Sequence, residues 1–287
     1  MRGDILTQVV KVGVVKAGCI GTLPLLEFLL DERAEREDIE VKVIGAGAKL
    51  EPNQCEEVAT KMLDFKPNFA IFISPNAALP GPTRGRNVLS KAGVPTIVIS
   101  DGPTKKIAKN LEETGFGYVI IDADSMIGAR REFLDTAEMA IFNSDIIKVL
   151  ATTGVFNIVF KEIDGVIQKI KEGMAITLPR VIVNKEIASA ASNFKNPYAM
   201  SKAMAAYEIS KAVAGVTSEG CFVVQDWQRY IPIVATGHEM MRQAAKLCDE
   251  AREIEKSEDT LLRIPHHPDG TVLEKRKLIE KPKKPSE

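Results

Sequence analysis

An α/β fold on a doubly wound parallel sheet is predicted by three observations. Short β-rich runs recur at residues 9–15, 39–44, 69–73, 96–99 and 118–121, and helical patterns separate them at 22–33, 53–64, 82–92 and 103–113. The runs are near-continuously apolar, as expected of parallel strands covered on both faces. After Gly128 the texture changes to mostly helical sequence.

Taken in order, the first run, rich in valine, ends in Lys16-Ala17-Gly18-Cys19-Ile20-Gly21, and the second in Gly45-Ala46-Gly47-Ala48-Lys49. The third ends in Ser74-Pro75-Asn76-Ala77-Ala78-Leu79-Pro80-Gly81-Pro82, whose prolines and glycine stiffen the turn. The fourth ends in Ser100-Asp101-Gly102-Pro103 and the fifth in the charged stretch from Asp122 to Asp135. Alternation of strand and helix calls for right-handed crossovers. Beyond this unit, Met139, Phe142, Ile146 and Val149 fall at helical spacing within 136–150, and further helices are predicted at 157–171, 197–213 and 232–256. Asp269-Gly270 sits between two short β-capable runs, the pattern of a small hairpin, and a Lys/Pro-rich tail follows. The expected whole is a Rossmann-like doubly wound parallel sheet over residues 1–128, an α-helical region over 129–256 that completes a substrate cleft, and a small C-terminal β segment over 257–287.

Composition narrows the function. Thirty-eight basic residues against 39 acidic ones leave a net charge of -1, so no overall field recommends the protein to nucleic acid or an anionic membrane. The first residues lack an unbroken apolar signal region, and no run approaches the roughly 18 apolar residues of a span. The four cysteines, Cys19, Cys55, Cys221 and Cys248, form no C-x-x-C pair, which suits a reducing cytoplasm. With three histidines in all, a histidine-rich metal site is not expected. His238-Glu239-Met240-Met241-Arg242 has arginine where a zinc motif needs its second histidine, and His266-His267 is read as a surface or interface pair.

In open α/β sheets ligands bind beyond the carboxyl ends of the strands, so the loops carry the candidate residues. Lys16 offers a compact positive charge, and the backbone N–H groups of Gly18 and Gly21 can approach an anion at the next helix; a glycine turn that only joins strand to helix is the plainer alternative. Asn76, flanked by Ser74 and Pro75, can address the edge of a planar heterocycle or merely stiffen its loop. Asp101 serves a ligand or caps the next helix, capping being the plainer role. Arg130 and Arg131 either grip an anionic tail or pair with Glu132 and Asp135 on a solvated face. No carboxylate stands at the end of the second strand, which weighs against a nicotinamide dinucleotide.

Read together, the Lys16–Thr22 loop, Leu30-Asp31-Glu32-Arg33-Ala34, the loop from Pro75 to Pro82, the stretch from Met126 to Asp135, Asn196-Pro197-Tyr198-Ala199-Met200, Gly220-Cys221-Phe222-Val223-Val224-Gln225-Asp226, the stretch from Val234 to Met241 and Arg263-Ile264-Pro265-His266-His267-Pro268-Asp269-Gly270 closely resemble the coenzyme F420-dependent methylenetetrahydromethanopterin dehydrogenases of methanogenic archaea. The resemblance runs almost end to end. It implies an oxidoreductase of methanogenesis and one-carbon metabolism that moves a hydride between 5,10-methylenetetrahydromethanopterin and coenzyme F420, a dissociable 8-hydroxy-5-deazaflavin, with no metal and no flavin. It also implies a cytoplasmic homohexamer built from dimers. Under it, Glu132, Asp135 and Asp145 are candidates to stabilise positive charge developing on the pterin. Lys16, Gly18, Cys19, Gly21, Ser74, Pro75, Asn76, Asp101, Asp124 and Met126 are candidates for the coenzyme, and Arg130, Arg131 and Asn143 for the substrate. A nicotinamide-dependent oxidoreductase and a non-catalytic ligand-binding module are the alternatives.

Overall fold

The computed structural model describes residues 9–31, 35–125 and 132–284. Six parallel strands, β1 (Val10–Lys16), β2 (Ile39–Gly45), β3 (Phe69–Ser74), β4 (Thr96–Asp101), β5 (Gly117–Ile121) and β6 (Arg180–Val183), lie in the order β2-β1-β3-β4-β5-β6. The first five match the expected runs to within two residues. The sixth was not foreseen. Arg180-Val181-Ile182-Val183 is too short to show a period, yet it pairs with β5 from Tyr118↔Arg180 to Ile121↔Val183. The sheet therefore draws a strand from beyond the expected 128/129 boundary, and one continuous apolar core joins residues from Val10 to Cys248.

Alternation along the strands assigns the two faces. Phe69, Ile71 and Ile73 of β3, with Ile97 and Ile99 of β4 and Val119 and Ile121 of β5, face the layer that contains α1 (Thr22–Asp31), α5 (Thr136–Thr152) and α6 (Val155–Lys171). Ala70 and Phe72 point the other way, onto Cys55, Val58 and Met62 of α2 (Pro52–Leu63) and Leu89 of α3 (Pro80–Lys91). Val98, Tyr118 and Ile120 cover Ala108 and Leu111 of α4 (Ala108–Glu113) on that same side. The helix expected over 103–113 is divided, with a 3-10 turn at Gly102–Ile107 preceding α4.

A short α7 (Lys185–Ala191) leads to a hairpin of two long helices, α8 (Pro197–Ser218) and α9 (Trp227–Ser257), joined through a π-helical turn at Glu219–Val223. Small buried residues, Ala199, Ala203 and Ala206 on α8 and Ala244, Ala245 and Ala251 on α9, let the two axes approach closely. α9 begins five residues before the expected start and takes in Pro232 as its sixth residue, where the ring forgoes one hydrogen bond of the helix. Two hydrogen bonds set α8 against the carboxyl edge of the sheet: Tyr207 Oη donates to Val183 O at 2.8 Å and Ser210 Oγ to Ala123 O at 2.6 Å.

The C-terminal segment makes antiparallel bridges, Arg263↔Lys275, His266↔Val272 and Glu274↔Lys283. His266 departs from the reading of a surface or interface pair. Its side chain is fully buried, bonded to Asp164 at 2.6 Å and stacked on Phe160, whereas His267 is half exposed beside Asp269. A charge on an adjoining helix offered the ring a partner that local sequence cannot reveal.

Candidate functional site

The strand order reverses between β1 and β3, because the chain runs outward to β2 and then returns across β1 to build the rest of the sheet. Loops leaving neighbouring strands in opposite directions open a crevice at their carboxyl ends. Gly18 stands on its rim with φ +87°, and a Cβ there would lie 2.8 Å from Pro75 Cδ. Only glycine lets the β1 and β3 loops pack this closely.

Over the crevice lies a cavity of about 470 Å³, within the range that holds small organic ligands. Pro75 and Asn76 after β3, with Asp101 at the end of β4 and Pro103 after it, form its floor. Leu50 and Leu79 line one side, and Ala214, Thr217, Ser218, Cys221 and Phe222, from the end of α8 and the π-helical turn, form the roof. The walls are mostly apolar, with a few polar atoms facing inward. Asn76 Oδ1 is held by the Ala78 N–H at 3.0 Å, which leaves its Nδ2 without a partner among the described residues. Asp101 is 5% exposed and accepts from the Gly102 N–H at 2.5 Å.

The floor is stiff for identifiable reasons. Ser100 Oγ donates to Ser74 O at 2.6 Å, and both Ser100 Oγ and Thr104 Oγ1 accept from the Ala77 N–H. Arg86, 4% exposed, donates to Ala77 O at 2.5 Å and lies over the Phe116 ring. Burial pushes the Arg86 guanidinium down to about 10, so it stays charged at neutral pH. Arg86→Met is expected to leave Ala77 O short of its strongest donor and to lower stability by about 1–3 kcal/mol, with weaker ligand binding in the cavity. Denaturant titration measures the first effect and fluorescence titration of the coenzyme the second; an unchanged midpoint would contradict this role.

Of the residues expected at the site, Pro75, Asn76 and Asp101 line this cavity. Ser74 lies just beneath, 1% exposed. Lys16 ends β1, its stem against Gly45, and makes no ion pair among the described residues. Cys19 is partly buried on the following loop. The anion-binding reading of that loop needs correction. The Gly18 N–H is taken by Gly47 O at 3.1 Å, and the Gly21 N–H by Asp124 Oδ1 at 2.7 Å. Asp124 Oδ2 also accepts from the Thr22 N–H at 2.9 Å and Thr22 Oγ1 at 2.5 Å. The anion at the start of α1 is thus the protein's own carboxylate, fully buried, and Asp124 is a structural brace here. Burial lifts its pKa to about 6, against the pull of the donors from Thr22 and Gly21.

The expected charge-stabilising carboxylates also stand elsewhere. Asp135 caps α5, accepting from the Glu138 N–H at 2.7 Å. Asp145, half-buried on α5, faces Lys148, Arg242, Asp249 and Glu239; burial raises its pKa, with Lys148 and Arg242 opposing. Glu132 is exposed, and neither it nor Asp135 nor Asp145 is in the walls of this cavity. Asn143 is partly buried on α5, and Met126, Arg130 and Arg131 lie outside the described residues. His238 is packed between aromatic rings, stacked on Phe142 at 4.2 Å and edge-on to Phe133. The roof residues escaped sequence reasoning about the site, although Cys221 and Phe222 sit in one of the motifs that carried the resemblance.

Comparison with known proteins agrees with this architecture. Residues 10–283 match the family described as methylene-5,6,7,8-tetrahydromethanopterin dehydrogenase. The chain is 56% identical over 275 residues to an F420-dependent methylenetetrahydromethanopterin dehydrogenase of Archaeoglobus fulgidus, covering 96% of this chain and 100% of the relative. It is 51% identical over 276 residues to the enzyme of that name from Methanocaldococcus jannaschii, with the same coverage. A solved F420-dependent methylene-tetrahydromethanopterin dehydrogenase in complex with methylene-tetrahydromethanopterin and coenzyme F420 superposes with a TM-score of 0.93 at 48% identity, covering 96% of this chain and all of that one. With a match over nearly its whole length in sequence and in fold, the chain belongs to the methylene-5,6,7,8-tetrahydromethanopterin dehydrogenase family.

Proposed function

We propose that this chain catalyses reversible hydride transfer between methylene-tetrahydromethanopterin and coenzyme F420, yielding methenyl-tetrahydromethanopterin and the reduced coenzyme in one-carbon metabolism and methanogenesis. The observation that carries the reading is the near-complete fit, at a TM-score of 0.93, to a protein solved with both of those molecules. When bound, coenzyme F420 supplies a deazaflavin ring whose C5 accepts the hydride.

The cavity walls fit such a ring. Leu50, Pro75, Leu79 and Phe222 offer apolar surface to flat heteroaromatic faces and exclude water. Asn76 Nδ2 and Asp101 present polar atoms to a ring edge. A direct hydride shift needs two rings held face to face, so rigid positioning supplies much of the acceleration. The Ser100–Thr104–Arg86 bracing of the floor provides that rigidity. We assign Lys16 to an anionic group of the coenzyme, and Arg130 and Arg131 to the acidic tail of either ligand. Large exposed side chains around α8 and the start of α9, Tyr198, Phe222, Val223 and Trp227, support a homo-oligomer. The free thiols of Cys19, Cys55, Cys221 and Cys248 support a cytoplasmic setting.

Mixing the purified chain with methylene-tetrahydromethanopterin and oxidised coenzyme is expected to bleach the deazaflavin absorbance with first-order dependence on protein. Turnover with NADP and none with the deazaflavin would replace this reading by a nicotinamide-dependent one. Binding without turnover would mark a ligand-binding module.

A further inference from the structure

Electron and proton balance exposes a requirement that hydride transfer alone does not meet. The substrate gives up H⁻, two electrons with one proton, and becomes a cation, so it releases no proton. A reduced 5-deazaflavin carries one new hydrogen at C5 and a second on ring nitrogen N1. The second must come from an acid.

We propose that Asp101 is that acid, passing its carboxyl proton to N1 of the coenzyme in the forward reaction and taking it back in reverse. The inference rests on the hydride-transfer reading above. In the step, the Asp101 O–H bond breaks and the N1–H bond forms, while a C–H bond of the substrate breaks and the C5–H bond forms. Asp101 becomes an anion as the substrate becomes a cation. The net charge within the cleft is therefore unchanged, which avoids creating an unpaired charge in a desolvated site.

The placement supports this role. Asp101 ends β4, in the wall of the cavity, and is 5% exposed. Its Oδ1 is held by the Gly102 N–H, and its Oδ2 has no partner among the described residues. Facing it are the carboxylates of Asp122 and Asp124 from the end of β5, Lys105 of the 3-10 turn, which is tied to Asp122 at 2.5 Å, the Tyr207 phenol of α8 and the Cys221 thiol across the cavity. Burial above all, reinforced by Asp124 and Asp122 and opposed by Gly102 N–H and Lys105, pushes the Asp101 carboxyl up to about 8. An acid of that strength keeps its proton at neutral pH and can release it, the property that suits general acid–base work.

The test pairs wild type with Asp101→Asn, whose amide can still accept from the Gly102 N–H but has no proton to give. In wild type, an infrared C=O band of a protonated carboxyl is expected to vanish as pH rises through about 8, and to be missing from Asp101→Asn. Substrate oxidation by wild type is expected to slow tenfold per pH unit above that midpoint, and the reverse reaction below it. Asp101→Asn should slow both directions by about 10²–10⁴-fold while holding coenzyme affinity within about threefold by fluorescence titration. Wild-type rates and an unchanged high-pH limb in Asp101→Asn would overturn the proton role, as would a protonated band that persists in the variant. A wild-type chain that neither binds nor reduces the coenzyme would instead bring down the hydride-transfer reading, and this inference with it.

Discussion

Asp124→Ala is expected to lower the unfolding free energy by about 3–5 kcal/mol, close to the whole stability margin of many domains. Three donors, the Gly21 and Thr22 N–H groups and the Thr22 hydroxyl, converge on this one buried carboxylate. Removing it strands them away from water at a helix N-terminus, where the dipole also favours negative charge. Each orphaned buried donor costs about 1–3 kcal/mol, less than additively because the loop relaxes. Asp124→Asn should cost less, since its carbonyl oxygen still accepts from one or two donors. Urea titrations of both variants check this; a loss below about 1 kcal/mol for alanine would show that the start of α1 is held by something else. Because the same contact fixes the loop after β1 beside the ligand crevice, coenzyme affinity should fall in parallel with stability. A stable variant with unchanged affinity would separate the two.

Asp38→Ala is expected to cost about 3–5 kcal/mol without changing the chemistry in the cavity. Asp38 precedes β2, at the amino edge of the sheet, and its side chain is wholly buried. It accepts from Arg36 Nε at 2.7 Å and Nη2 at 3.0 Å, and from Lys171 Nζ at 3.1 Å. Arg36 also approaches Asp164, which holds His266 of the C-terminal segment. Truncating Asp38 leaves two cations partnerless or nearly so in a low-dielectric setting, and that penalty exceeds the worth of the pairs themselves. Burial alone would raise the Asp38 pKa, but the hydrogen bonds and charges of Arg36 and Lys171 hold it below its ordinary 3.8. The sign follows from linkage: this stabilisation is fully present above 3.8 and is lost as pH falls through the lowered folded value. Wild type should therefore lose stability in acid more steeply than Asp38→Asn. Thermal melts against pH test the point, and kcat at 25 °C should stay within about twofold of wild type if the cluster is purely structural.

Gly270 shows how closely this cluster is packed. Its φ is +82°, and a Cβ there would lie 1.9 Å from Asp38 Oδ2. Nothing in Asp269-Gly270 beyond a turn signal points to that contact, because the carboxylate it meets is more than 200 residues earlier in the chain. The same asymmetry runs through the molecule. β1, β3, β4 and β5 are legible because parallel strands covered on both faces are largely apolar, and β2, at the sheet edge, because Ile39, Val41 and Val43 alternate with Glu40 and Lys42. β6 is not, since four residues carry no period and only pairing with β5 selects them. His266 reads as a surface residue until Asp164 of α6 comes into view.

The candidate site divides in the same way. Asn76 and Asp101 were legible as polar residues at strand ends, where an open α/β sheet binds ligands. The roof over them was not, because α8 is rich in small residues and its weakly amphipathic pattern does not reveal that its last turn leaves the core to cover β3 and β4. Asp124 illustrates the limit most sharply. Its position after β5 marked it for a ligand, yet its partners are the N–H groups of a helix start about a hundred residues away, so it completes the fold.

By itself, the sequence determined the alternating strands and helices, the polar loops at the carboxyl edge and the motifs of the family, since each depends on residues near one another in the chain. Which of those loop residues face a ligand and which brace the protein was decided only in three dimensions. A buried polar atom takes its role from whatever donor or acceptor the packed chain brings within about 3 Å, and that neighbour is set by topology.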